Sequence, residues 1–181
     1  IFSKKENVLT FVNSCNFPIV FKSNIGAGAS GVNIGKTKNE ALSIINQIFG
    51  RLHPRFTFGK VIWTKYKNFS LPTVGLNQKH FMIIQDFYSI KWEWRIIKIG
   101  NNYAGHQKLL QGEFASGSNL VGWVKPPVEL LELVKQITQN HNFHSVAIDI
   151  FETTDGKFLI NEIQSIFGSY LHYQMKFDDQ R

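Results

Sequence analysis

Short apolar blocks along this chain change period often enough to delimit elements. Residues 6–16 predict a short helix that ends before Asn16-Phe17-Pro18. Pro18-Ile19-Val20-Phe21-Lys22 reads as a buried strand closing on a lysine, and Val32 to Gly35 as its return after a loop from Ser23 to Gly31. Thr37-Lys38-Asn39-Glu40 matches a capping box, and Ala41, Leu42, Ile44, Ile45 and Ile48 continue a helical stripe to about Phe49. Residues 51–80 are mixed, with a strand expected over Lys60 to Tyr66. His80 to Phe87 reads as a strand, and Trp94 to Ile99 with Tyr103 to Leu109 as a hairpin around Gly100-Asn101-Asn102. A glycine- and serine-rich loop spans Gly112 to Gly122, after which Pro126 and Pro127 open a helix carrying Val128, Leu130, Leu131, Leu133, Val134 and Ile137. Val146 to Ile150 and Phe158 to Gln164 form a last hairpin, whose Asp155-Gly156 supplies the positive φ angles of a tight turn. That order predicts an α+β fold.

Charges inside the apolar blocks mark the chemistry. The last hairpin brings Asp149 and Glu162 onto neighbouring strands, and alternation puts Glu162 and Gln164 on one face. Two carboxylates and an amide oxygen suit magnesium, particularly magnesium carrying a nucleotide phosphate. Lys22 faces a loop containing Gly26, Gly28 and Gly31, whose backbone N–H groups suit phosphate; a plain surface hairpin fits the same residues. Gln85-Asp86-Phe87-Tyr88 leaves a strand and offers bare backbone groups to a flat base. Glu93 then suits a ribose hydroxyl and Arg95 a phosphate, or the two form a cross-strand ion pair. Trp92 and Trp94 read as packing residues.

Composition narrows the partners. Among 181 residues, 43% are hydrophobic and sixteen are phenylalanine, which implies a packed core. No apolar stretch reaches the ~20 residues of a membrane-spanning helix, so no membrane partner is expected. A net charge of +7 implies an anionic partner, and scattered lysines favour nucleotide phosphate or acidic substrates over nucleic acid. A lone cysteine, Cys15, excludes an intramolecular disulfide and fits a cytoplasmic, reducing compartment. The chain opens on Ile1 with no signal-peptide pattern and reads as a processed product or part of a longer one.

Pro-Ile-Val-Phe-Lys with a glycine-rich loop, Ile-Ile-Gln-Asp-Phe-Tyr, Glu-Trp-Arg and the Asp149/Glu162/Gln164 hairpin occur in one order, and together they resemble the ATP-grasp superfamily. The branch they look most like is the glutathione-synthetase and ribosomal-protein glutamate-ligase type, over roughly residues 15–170. The resemblance implies two small lobes with antiparallel sheets holding nucleotide between them. Residues 1–88 would form the smaller lobe and 89–181 the larger. It implies ATP and magnesium as cofactors, with two magnesium ions and manganese as a substitute. Lys22, Gly28, Ser30 and Gly31 would bind phosphate; Gln85, Asp86, Phe87 and Tyr88 would bind adenine; and Glu93 would bind ribose. Arg95 and Lys108 would be catalytic, Asp149, Glu162 and Gln164 would hold metal, and Ser165 to Gly168 would border the acceptor.

The implied activity is an ATP-dependent ligase joining a small-molecule or peptide carboxylate to an amine, or to a thiol, through an acyl phosphate, in a chain that can form a homo-oligomer. A small-molecule kinase and a non-catalytic basic binding module are the alternatives. Three departures stand out. Gln164 occupies a place the family usually gives to asparagine, and Ala115 one that often holds arginine. The family's preceding domain, with its first phosphate-binding lysine, is not in this chain, and Lys4 and Lys5 are poor substitutes.

Overall fold

The computed structural model of the chain describes residues 1–23, 31–50 and 80–167. The strand expected over Lys60 to Tyr66 lies outside the described residues, as do Gly26, Gly28, Ser30 and Gly168. The chain divides into two compact units, Ile1–Phe87 and Tyr88–Arg181. Every described strand pairing is antiparallel, and helices accompany both sheets, so the class is α+β.

In the first unit, α1 (Lys5–Ser14) buries Val8 and Val12, one turn apart on one face. Helix α2 (Lys38–Phe49) buries Ala41, Ile45 and Ile48 at the same kind of spacing. They share a core with a three-stranded sheet ordered β2 (Val32–Gly35), β1 (Ile19–Lys22), β3 (Ile83–Asp86). Ile19 and Phe21 alternate into that core, which sends Val20 and Lys22 to the other face. The strand expected from His80 is shorter, because His80 takes a left-handed φ of 55° and Met82 pairs only through a bridge to Phe2. Helix α2 starts as its capping box predicts: Thr37 Oγ1 accepts from the Glu40 N–H at 3.3 Å. Glu40 Oε2 accepts from the Lys36 N–H at 2.8 Å, one residue before the cap. Thr37→Ala should lower the unfolding free energy by about 1 kcal/mol. That loss reads as a lower urea midpoint at unchanged slope.

The second unit is a five-stranded sheet ordered β6 (Val121–Gly122), β5 (Asn102–Lys108), β4 (Ile90–Ile99), β7 (Ser145–Thr153), β8 (Phe158–Gln164). Strand β4 begins before the expected Trp94, since Ile90 and Trp92 already pair with β7 across an irregular step. Helix α3 (Val128–Asn140) follows Pro127 at its N-cap. Its Leu130 and Val134 pack with Trp94, Ile96, Val146, Ile148 and Ile150. Burying that face against α3 commits the other one. Glu93 and Arg95 of β4, His106 and Lys108 of β5 and Asp149 of β7 all share it by register.

Two irregularities shape the last ribbon. Only Gly156 has positive φ, at 83°, so Asp155-Gly156 is not the two-residue turn the sequence suggests. Thr154, Asp155 and Gly156 instead form a three-residue loop, closed by the Thr153 N–H to the Lys157 carbonyl at 2.9 Å. Further along, Asp149 lies opposite Glu162 while Ile150 lies opposite Ile160. Asn161 is therefore an extra residue in β8, a bulge of the kind that re-aims side chains.

Candidate functional site

Two buried carboxylates organise the polar face of the second sheet. Asp149, 1% exposed, accepts a fork from Arg95: Nε donates to Oδ1 and Nη2 to Oδ2, each at 2.8 Å. Lys108 Nζ donates to the same Oδ2 at 2.6 Å, and Gln164 Nε2 at 3.4 Å. Glu93, 0% exposed, accepts from Lys108 Nζ at 3.1 Å and Ser116 Oγ at 2.9 Å on Oε2, and from Asn161 Nδ2 at 2.6 Å on Oε1. Glu93 and Arg95 are thus not paired with each other. They lie two apart on one strand, and each meets an opposite charge on a neighbouring strand. Lys108 bridges the two carboxylates.

The charges balance, since Arg95 and Lys108 offset Asp149 and Glu93. Burial alone raises the pKa of Asp149, but the Arg95 fork and the nearby Lys108 more than offset it, and the carboxyl stays below its ordinary range. Burial lowers the Arg95 pKa, but Asp149, Glu93 and Glu162 together outweigh it, for a net increase. His106, opposite Arg95 and with its ring 5.6 Å from that of Trp123, is pushed down to about 4, first by burial and then by Arg95 and Lys108. Between pH 6.5 and about 4 the unfolded chain therefore binds a proton at this residue that the folded chain does not. Stability is present in full above the unfolded value and is lost as pH falls through that window. His106→Phe should flatten the dependence of the urea midpoint on pH between 6.5 and 4. An unchanged slope would show that this imidazole does not control it.

Glu162 is exposed, next to the bulge and opposite Asp149. Gln164, paired with Ala147, stays on the same face, as alternation requires. Among the described residues no group of three or more His, Cys, Asp and Glu side chains is placed to hold a metal; the amide that approaches Asp149 here is that of Gln164. The donor set of Asp149, Glu162 and Gln164 fits a hard divalent cation. Gln164, whose N–H makes the longest of the four contacts at Asp149, would serve such an ion through its amide oxygen.

On the first unit, Lys22 is half-buried and shares the sheet face turned away from the helices with Gln85, which pairs with Val20. Asp86, paired with Ile19, ends β3 exposed; Phe87 is half-buried, and Tyr88, 49% exposed, begins the second unit. Gly31 has φ 83°, and its carbonyl accepts the Ser23 N–H at 3.0 Å, closing the ends of the glycine-rich segment. Ala115 is buried, and its neighbour Ser116 makes the polar contact. Ser165 and Ile166 are exposed just past β8.

Trp92 and Trp94 are packing residues, as expected. Their rings meet edge to face at 6.3 Å, and both indole N–H groups donate to Glu152 Oε2 at 2.9 Å. Asn161 was invisible to the sequence reading. Strict alternation sends it to the face opposite Glu162, and only the bulge places both side by side.

No protein-family model matches the chain, and no curated protein matches it in sequence. Solved structures do match. An N5-carboxyaminoimidazole ribonucleotide synthetase in its ADP complex aligns at TM-score 0.62 and 12% identity, over 95% of this chain and 41% of that one. The Chryseobacterium gregarium RiPP-associated ATP-grasp ligase, in complex with ADP and a leader and core peptide, aligns at 0.59 and 14%, over 91% and 45%. The biotin carboxylase domain of the Hydrogenobacter thermophilus 2-oxoglutarate carboxylase, in complex with MgADP and other ligands, aligns at 0.61 and 11%, over 94% and 35%. The chain spans less than half the length of each. It has the ATP-grasp fold, the architecture its sequence resemblance implied.

Proposed function

We propose that this chain handles nucleotide in a magnesium-dependent ATP-grasp ligase, which activates a carboxylate with ATP and joins it to an amine or a thiol. The observation that carries the reading is the polar face of the second sheet. Asp149 and Glu162 stand opposite each other, Gln164 approaches Asp149, and Arg95 and Lys108 are bound into the same network. Solved proteins of the same fold in complex with ADP, one of them with MgADP, support it.

On this reading Asp149, Glu162 and Gln164 would hold magnesium, which would supply positive charge against the phosphate oxygens of ATP. Asp149 keeps the Arg95 guanidinium in one plane, which pre-orients its remaining N–H groups for a phosphoryl oxygen. Lys108 adds a point charge whose position two carboxylates define. Lys22 with Gly28, Ser30 and Gly31 takes phosphate, and Gln85 with the backbone of Asp86, Phe87 and Tyr88 takes adenine. A carboxylate oxygen of the acceptor attacks the γ-phosphorus as its bond to the bridging oxygen breaks, and ADP departs. The amine then attacks the acyl carbon, phosphate leaves with the C–O electron pair, and the nitrogen loses a proton. Amide, ADP and phosphate balance the reactants. No side-chain nucleophile is needed.

Calorimetric titration with a non-hydrolysable ATP analogue, with and without magnesium, tests the nucleotide half of the reading. Products from a panel of carboxylates and amines test the rest. ADP and phosphate with an amide indicate the ligase, whereas ADP with a stable phosphorylated acceptor indicates a kinase. Salt-sensitive RNA binding without nucleotide affinity would instead mark a basic binding module.

A further inference from the structure

The reaction above makes no use of Glu93, the most enclosed charge on the polar face. Its side chain has no exposed surface, and both of its oxygens are engaged. The three donors come from three places in the chain. Lys108 ends β5, Ser116 sits in the loop between β5 and β6, and Asn161 is the extra residue of β8, beside Glu162. A carboxylate so enclosed presents no surface to a ribose hydroxyl, the role its sequence position implied. It does have the geometry of a clamp: charge-assisted bonds are short and directional, and a buried anion binds its donors firmly because losing them leaves it unpaired. The bulge is the device that admits Asn161, since regular alternation would turn that amide to the other face.

We infer that Glu93 is a positioning residue that sets Lys108 and couples the loop carrying Ser116 to the bulged strand carrying Glu162. It acts on ATP only through those groups. The coupling stands on geometry alone, and its effect on nucleotide rests on the reading proposed above.

Two measurements on the full chain separate these parts. The first needs no nucleotide. Hydrogen exchange of Asn161→Ala should show the amides around Ser116 exchanging about 5-fold or more faster, and Ser116→Ala should do the same around Glu162. Asn161 lies in the edge strand of the sheet and is not fully buried, so its truncation should leave the fold standing. Exchange that rises only beside each substitution overturns the coupling. The second compares binding of magnesium with ATP and with 2′-deoxy-ATP to wild type and Glu93→Gln. The clamp predicts the same preference in both, with lower turnover in the variant. A preference lost in Glu93→Gln would show direct ribose contact and overturn the assignment. Should the wild type bind no nucleotide, the ligase reading fails, and the exchange experiment still decides the coupling.

Discussion

Asp149→Ala should destabilise the second unit by about 3–5 kcal/mol, because it takes the carboxylate partner from the half-buried Arg95 guanidinium and leaves Lys108 with one anion in place of two. The carboxylate is 1% exposed and takes four donors, so its loss leaves those donors without their shared acceptor. The expected signature is a large fall in the urea midpoint of the second unit, with the first unit unaffected. A companion variant separates charge from shape. Arg95→Met with Asp149→Leu removes one cation and one anion, and Lys108 keeps Glu93. That pair should recover most of the lost stability, since replacing a buried ion pair with apolar residues is often neutral. If Asp149→Ala unfolds no more easily than wild type, the network contributes nothing and the account of this face is wrong. Activity should vanish in both variants, so stability and function part company in the double substitution.

Glu162→Ala makes the opposite pair of changes. The residue is exposed, so stability should move by no more than about 0.5 kcal/mol. Magnesium-dependent ADP formation, by contrast, should fall by at least about 10²–10³-fold, the scale of removing one element of electrostatic stabilisation. Glu162 and Asp149 face each other across the ribbon, but their burial differs, and burial decides which loss is structural and which chemical. Measuring thermal unfolding and ADP release on the same preparation checks both halves. Retained ADP formation, or magnesium-dependent nucleotide binding unchanged from wild type, would remove Glu162 from the metal site.

Much of the fold was legible because the signals are local. The capping box at Thr37 and Glu40 starts α2, Pro126 and Pro127 precede α3, and the glycine at Gly156 turns the last ribbon. Each depends on residues within one turn or one loop. The ladder parities were equally plain: Glu162 and Gln164 share a face because strands repeat every two residues. The same rule misled at Asn161, where one inserted residue breaks the alternation.

Sequence by itself therefore determined the order of the described helices and of the strands other than β6, which falls within the expected Gly112–Gly122 loop, and it put Asp149, Glu162 and Gln164 on the last hairpin. Periodicity and turn chemistry act over a few neighbouring residues, so they survive without knowledge of the partners. Tertiary structure decided who pairs with whom: Arg95 with Asp149, Lys108 with both carboxylates, and Asn161 with Glu93. It also enclosed Glu93 and left Glu162 in solvent. Those outcomes follow from the register of strands far apart in the chain and from what covers each position, and neither is encoded in any short stretch of residues.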